Sequence, residues 1–306
     1  MLNYLKISYS DKLIALQDKF KFSTKLAEYL EVSRQSLINW KDDDKSINDE
    51  NRLKIDVAYC EYFGFDSIKV DDISNIQNKI NKIDFSYFNI EEVDIVDRVS
   101  KTIAFGSLEI EEDVKQKDFN KIVEQHELIS DMDKRDMLSI NNLANLTVKV
   151  IKDTLNSNIE QIDPREIKNW HYSLMNGIRT DAGEYSKHKR IIPGSEELTL
   201  TDHRDIKEET QRWCDIYDKD LTLDDITKAH AHFELIHPFG DGNGRVGRLI
   251  VSHQCIKAGL LPPLINNSNK ALYYVFLKHA QINNEYSYLK YFLATAILET
   301  HKKFGN

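Results

Sequence analysis

The run His237-Pro-Phe-Gly-Asp-Gly-Asn-Gly-Arg-Val-Gly-Arg248 constrains this chain more than any other stretch, because it joins two segments of helical periodicity by a turn that few residues can make. Asp224 to Ile236 reads as one helix, and a second runs from about Asn243 to Ala258, stopped by Gly259 and Pro262. Glycines at 240, 242 and 244 let the backbone turn tightly and approach a ligand closely. The helix that follows presents unpaired N–H groups and the positive end of its dipole, so the turn reads as an anion cradle. Arg245 and Arg248 stand three apart, neighbours on the helix surface, and two guanidinium forks there suit a polyphosphate. Asp241 would repel an anion unless a cation bridged them, which makes it the candidate Mg²⁺ ligand. His237 is the candidate general base, since a neutral imidazole takes a hydroxyl proton at physiological pH. The pattern points to chemistry at phosphorus. No G-x-x-x-x-G-K-[ST] run occurs, so this is not an ordinary P-loop. Pro238 and Phe239 read as framework, with Phe239 anchoring the loop in the core. His230 and His232 fall on different faces of their helix and do not join His237 as a zinc set.

Around this turn the chain reads as mainly α. Only 5 Pro and 11 Gly in 306 residues, with 41% hydrophobic residues, suit an ordered helix-rich fold of one large or two ordinary domains. Asp163 as N-cap, Pro164 at the first helical position and Glu166 three residues after the cap start a helix whose Ile167, Trp170, Leu174 and Ile178 share a face, with Gly177 near its end. Lys189-Arg-Ile-Ile-Pro-Gly194 is too short for a helix and rich in β-branched residues, which predicts a short β-hairpin or extended flap. Lys plus Arg number 41 against 50 Asp plus Glu, a net charge of −9 that gives no general attraction to nucleic acid or anionic lipid. Cys60, Cys214 and Cys255 form no C-x-x-C pair and no disulfide framework, which fits a reducing cytoplasm. Neither a signal peptide nor an apolar run of about 18 residues is read, so no membrane contact is expected.

The first seventy residues hold a separate pattern. Leu26, Ala27 and Leu30 share a helical face, Ser33 caps a second helix, and Leu37 and Trp40 repeat at helical spacing. Two short helices meeting at Val32 resemble the DNA-binding helix-turn-helix, except that Glu31 stands where Gly is common. Arg34, Gln35 and Asn39 suit base reading, while Asp42, Asp43 and Asp44 repel phosphate, so DNA binding and a structural or protein-binding role both stand. Arg52 to Phe63, ending at Gly64, closes this unit. The expected organisation is therefore a helix-turn-helix-like helical domain over 1–70, a linker over 71–92 and a larger helical domain over 93–306.

The segment from His237 to Arg248 matches, at every specified position, the signature H-x-F-x-[D/E]-G-N-G-R-x-x-R, and in this it resembles the Fic family. The similarity runs back through Ala229-His-Ala-His-Phe-Glu-Leu-Ile-His-Pro238 and forward through Leu272-Tyr-Tyr, so it spans roughly Val93 to the C-terminus. The resemblance implies transfer of AMP from ATP to a protein Ser, Thr or Tyr hydroxyl. It makes His237 the base, sets Asp241 on Mg²⁺ between the α- and β-phosphates, and has Asn243, with the loop amides at Gly242 and Gly244, cradle the α-phosphate. Arg245 then steadies the β-phosphate and Arg248 the γ-phosphate. It places Ile191, Ile192, Pro193 and Gly194 in a flap that pairs with an extended segment of the target and covers the nucleotide, Pro193 removing one amide donor. Tyr273, Tyr274 and Gln281 fall near the base and ribose, with packing of an amphipathic helix as the other reading of the tyrosines.

The resemblance also implies control. Ser107-Leu-Glu-Ile-Glu111 fits the first five positions of an inhibitory helix, here about 100–113, whose Glu pairs with the second arginine of the signature and blocks the γ-phosphate. Glu112 stands in the sixth position in place of Gly or Asn, and Glu109 and Glu112 are expected at the surface. Three other activities stand beside AMP transfer: removal of AMP from a modified protein, transfer of another nucleotide such as UMP, and an ATP-sensing DNA-binding regulator. Self-modification that controls the first domain would combine transfer with the DNA-binding reading.

Overall fold

The computed structural model describes residues 7–42, 46–63, 70–192, 195, 197–217, 219 and 221–305. Gly64, Asp43, Asp44, Pro193, Gly194 and the Cys60 side chain, each singled out in the sequence, lie outside them. Among the described residues the regular elements are all helices. The N-terminal helices are α1 (Tyr9–Phe20), α2 (Ser23–Tyr29), α3 (Arg34–Asp42), α4 (Asp49–Phe63) and α5 (Val70–Ile80). The middle of the chain forms α6 (Val93–Glu109), α7 (Gln116–Val123), α8 (Lys134–Leu155), α9 (Pro164–Met175) and α10 (Ile206–Tyr217). The last four are α11 (Leu223–Ile236), α12 (Asn243–Lys257), α13 (Lys270–Asn283) and α14 (Ser287–Phe304). No helix among the described residues is long and apolar enough to cross a membrane.

The caps explain the boundaries. Asp163 Oδ1 accepts from the Glu166 amide at 2.8 Å and Pro164 needs no partner at the first position of α9. Thr222 and Asp225 cap each other's backbone at the start of α11. Ser33 Oγ takes the Ser36 amide at 3.0 Å ahead of α3. Between α2 and α3 the Val32 amide returns to Ala27 O at 2.9 Å, and Glu31 is left-handed with φ 55°, the conformation for which glycine is the usual choice. Helix α9 ends at Met175, so Ile178 lies past its end, beyond Gly177 at φ 77°.

Two apolar clusters hold the helices together. One joins Leu13, Leu26, Leu37 and Ile55 of the N-terminal helices to Leu272, Phe276, Leu289 and Phe292 of α13 and α14. Residues 71–80 of the stretch read as a linker belong to α5, which packs on α14. The second cluster holds Trp170, Trp213, Phe233, Phe239 and Leu249 between α6 and α12. Phe239 is fully buried there, worth about 2–3 kcal/mol of transfer free energy, and it pins the turn after α11 to the core. Gly106 lets α6 lie against the 264–266 segment, since a Cβ would come within 2.6 Å of Ile265 O. That close approach sets the end of α6 over the start of α12.

Of the two forms expected for the 189–194 segment, the described residues show no hairpin. Among the described residues there is no strand, and 189–192 runs as irregular chain, with the Ser195 amide turning back to Ile192 O at 3.0 Å. Ile191 is 63% exposed and finds no ladder partner, so β-branched composition alone does not make a strand here. A buried Arg190 ties the segment down instead.

Candidate functional site

Helix α11 ends on His237, whose left-handed backbone (φ 47°, ψ 59°) is unusual for a residue with a Cβ. Three contacts hold that strained turn. The Arg190 guanidinium donates through Nε to His237 O at 2.9 Å and through Nη2 to Ile236 O and Thr201 O at 2.8 and 2.7 Å. The Asn243 side chain closes the loop on itself, taking the Phe239 amide at 2.8 Å and donating to Phe239 O at 2.9 Å. His171 of α9 stacks on Phe239 with ring centroids 3.7 Å apart and planes 4° from parallel. Its Nδ1 accepts from the Gly183 amide at 2.9 Å, so Nε2 carries the proton and donates to Asp241 O at 3.1 Å. Burial lowers the His171 pKa to about 4, which keeps the ring in that single neutral form.

The His237 ring lies against α11, Nδ1 3.3 Å from Glu234 O and 3.9 Å from Glu234 Oε2. Burial takes its pKa down to about 4, the Glu234 carbonyl opposing, so the imidazole is neutral near pH 7 with Nδ1–H inward and Nε2 free to accept a proton. A cavity of about 540 Å³ opens onto it, lined also by Arg179, Tyr185, Lys187, Lys189, Ile191 and Gly240.

Helix α12 starts at Gly242, which holds φ 76° and gives its first turn no side-chain cap. A Cβ at Gly242 would overlap Met175 Cε at 2.3 Å, so glycine is required on both counts. One carboxylate occupies the space above that turn: a Cβ on Gly244 would meet Glu111 Oε1 at 2.7 Å. Glu111 Oε1 accepts from Arg248 Nη2 at 2.6 Å, and its Oε2 stands 2.9 Å from Arg245 Nε, out of line for a hydrogen bond. Arg248 also donates to Ser107 Oγ at 2.8 Å and to Ser107 O at 3.0 Å. Burial works against the charge of Arg248, yet Glu111 holds its pKa above the ordinary guanidinium value. Both arginines are buried, each 5% exposed.

The arrangement brings together His237, Asp241, Gly242, Asn243, Gly244, Arg245, Arg248, Ser107 and Glu111. Two differences from the sequence reading stand out. Glu111 reaches both arginines rather than Arg248 alone. Glu112 is not at the surface: it is a partly buried partner of Arg245 Nη1 at 2.9 Å and of Ser139 Oγ at 2.6 Å, and burial raises its pKa. Glu109 takes the Asn267 amide at 3.1 Å. On α13 the two tyrosines part company. Tyr274 is 44% exposed, whereas Tyr273 is 1% exposed with its hydroxyl 2.8 Å from His230 Nε2, which is the packing alternative. Gln281 reaches Ala231 O at 3.4 Å. Asp241 is about half exposed, and its contacts, the Gly242 amide at 2.6 Å and Arg245 at 3.6 Å, both fall on Oδ1. A single exposed carboxylate beside a phosphate cradle suits Mg²⁺, which takes few protein ligands and fills its shell with phosphate oxygens and water.

Sequence reasoning missed Arg190, His171, Ser139 and Glu234. Only Glu234 left a signal, as a carboxylate three residues before the base in an otherwise apolar helix turn.

The helical bundle thus sets a histidine-headed glycine turn at the N-terminus of a buried helix, with a neutral imidazole beside it. Residues 161–255 match the family model described as Fic/DOC family. The chain is 32% identical over 144 residues to Protein adenylyltransferase Fic of Drosophila erecta, covering 44% of this chain and 28% of that protein. Identity to the protein of that name from Drosophila melanogaster is 31% over 144 residues, with the same coverage. The chain thus spans little more than a quarter of the length of the curated relatives it matches. Among solved structures, Fic-1 from C. elegans superposes with a TM-score of 0.64 at 16% identity, over 83% of this chain and 80% of that one. A Fic domain containing signaling protein from Bacteroides thetaiotaomicron gives 0.62 at 16% identity, over 76% and 95%. At such identity these two establish the fold.

Proposed function

We propose that this chain is a protein adenylyltransferase that moves AMP from ATP to a Ser, Thr or Tyr hydroxyl and is held in check by Glu111. The observation that carries the reading is the complete turn: a neutral imidazole at His237 beside the open first turn of α12, whose two arginines already hold a carboxylate. Phosphoryl chemistry asks mainly for positioning and charge neutralisation, and this site offers both. His237 Nε2 takes the acceptor's proton. The first-turn amides of α12 receive the α-phosphate, Arg245 the β- and Arg248 the γ-phosphate, while Asn243 and His171 keep the turn in shape. Asp241 would hold Mg²⁺, which would supply positive charge to neutralise the phosphates. Glu111 sits where a terminal phosphate would be bound, so the two exclude each other. The acceptor segment enters the cavity lined by Lys187, Lys189 and Ile191. Tyr274 and Gln281 lie on the nucleoside side, with Tyr273 supporting them from the core.

Mass spectrometry of the Glu111→Gly variant incubated with lysate, ATP and Mg²⁺ tests this. We expect an adenylyl group on a hydroxyl side chain of the protein itself or of a lysate protein, absent with His237→Ala. No such group, while ATP still binds, defeats the reading. Competition between labelled ATP and UTP decides the nucleotide, and an AMP-modified acceptor tests the reverse reaction. A second role for 1–70 is favoured by Arg34, Gln35 and Asn39, all exposed on one side of α3. A duplex-binding assay across salt concentrations tests it: affinity that is absent, or that lacks a salt slope, removes the DNA reading.

A further inference from the structure

Glu234 sits one helical turn before His237 on α11 and is buried. Its Oε2 lies 3.9 Å from His237 Nδ1, and its own backbone oxygen lies 3.3 Å from the same nitrogen. Oε1 has no hydrogen-bond partner among the described residues. A buried carboxyl oxygen left without a partner is costly, and such groups call for an explanation. The fold makes room for this one: a Cβ on Gly247 of α12 would stand 2.2 Å from Oε1, so α12 carries no side chain there. The titratable and charged groups facing Glu234 are His237 on its own helix, Arg248 on α12, Glu111 beyond α6, and Tyr273 and Tyr274 on α13. Arg248, the cation among them, directs its hydrogen bonds to Ser107 and Glu111. The phosphate cradle makes no use of Glu234, whereas the base does.

We propose that Glu234 is the positioning residue for His237: its backbone oxygen holds the ring proton on Nδ1 and leaves Nε2 as acceptor, and its carboxylate, 3.9 Å from Nδ1, stabilises the imidazolium formed during transfer. The inference rests on the adenylyl-transfer reading. In that reaction the acceptor's O–H bond breaks and the proton moves to Nε2. The same oxygen bonds to the α-phosphorus, and the bond from that phosphorus to the bridging oxygen breaks, its electron pair leaving on pyrophosphate. The proton then passes from Nε2 to solvent. Nδ1–H faces residue 234 throughout. A ring whose pKa is lowered to about 4 by burial is a weak base on its own, and a neighbouring carboxylate strengthens it. Burial raises the Glu234 pKa to about 7, with Arg248 drawing it down and Glu111 pushing it up, so the carboxylate charge develops near neutral pH.

Two measurements in the Glu111→Gly background test this. The first is transfer of label from ATP labelled in its α-phosphate to protein hydroxyls, across pH. We expect the rate to rise with a midpoint near neutrality. Glu234→Gln should lower kcat about tenfold or more and remove that step while leaving the ATP KM within about twofold, and Glu234→Asp should restore the step. The second is the pH titration of the His237 ring nitrogens by NMR with labelled histidine. It should show Nδ1 protonated and a step near neutrality that Glu234→Gln abolishes. A Gln variant with unchanged kcat and midpoint, or a His237 titration indifferent to that substitution, overturns the proposal. If no variant transfers label although ATP binds, the transfer reading fails, and the NMR titration alone decides whether Glu234 governs His237.

Discussion

Replacing Glu111 with glycine takes away the carboxylate that spans both arginines of the turn. Its 2.6 Å bond to Arg248 is aligned and charge-assisted, a type worth about 1.5–3 kcal/mol. The 2.9 Å approach to Arg245 is out of line and adds a Coulombic contribution of about 1 kcal/mol or less. An ATP phosphate must displace both, so removing them should tighten ATP by about 2–4 kcal/mol, roughly 30- to 1,000-fold in Kd. Arg248 keeps Ser107 Oγ and Ser107 O, and Arg245 keeps Glu112 and Ser139, so neither guanidinium is orphaned and the fold should lose only about 1–2 kcal/mol. Isothermal calorimetry with ATP and Mg²⁺ reads the effect directly. Glu111→Gln, which keeps the shape and loses the charge, should fall between wild type and Glu111→Gly. If Glu111→Gly binds ATP within about threefold of wild type, the carboxylate does not compete for the phosphate position and the inhibitory reading is wrong.

Further expectations follow from single contacts. Gly247→Ala forces a methyl against Glu234 and should cost about 1–3 kcal/mol in chemical denaturation, whereas a neutral change refutes the clearance argument. Arg190→Met leaves three carbonyls unsatisfied, so we expect a loss of about 2–4 kcal/mol and at least a tenfold drop in transfer rate; an unaltered melting curve would show that the guanidinium does not hold the turn. His171→Phe keeps a ring against Phe239 but loses the bond to Asp241 O, and should lower kcat more than stability. Equal ATP turnover counts against that positioning role. Acid should destabilise the fold through its buried histidines. His171, His230 and His253 have pKa values lowered by burial to about 4, 3 and 4, so between pH 6.5 and 4 the unfolded chain binds protons that the folded chain refuses. Stability should fall as pH falls through that window, by up to about 1.4 kcal/mol per histidine per pH unit. A flat profile there contradicts the buried neutral assignments.

The parts of this fold legible in the sequence are those written in local chemistry. Asp163 with Pro164, Ser33 before α3, and the stop at Gly259 mark helix ends through side-chain caps and glycine conformations that depend on near neighbours only. The turn from His237 to Arg248 was legible for the same reason, whereas the pairing of Glu111 with Arg248, 137 residues apart, was expected only from the resemblance to the Fic family. Contacts that arise only once distant helices meet were not. Nothing in the composition around Arg190 says that it will bury itself on three carbonyls from 201 to 237, and β-branched Ile191 and Ile192 point to a strand that no partner completes. Glu112 reads as surface because its neighbours are charged, yet α8 brings Ser139 and α12 brings Arg245 to it. Tyr273 and Tyr274 are adjacent in sequence and differ only in which way α13 turns them.

The central claim is that the first turn of α12 seats ATP so that its α-phosphate passes to a hydroxyl under His237. Parallel reactions of Glu111→Gly with ATP labelled at the α- or the γ-phosphate test it most directly. Label should reach protein hydroxyls from the α position alone, and neither label should transfer with His237→Ala. Retention of γ-label on protein, or α-label transfer that survives loss of the imidazole, would contradict the account.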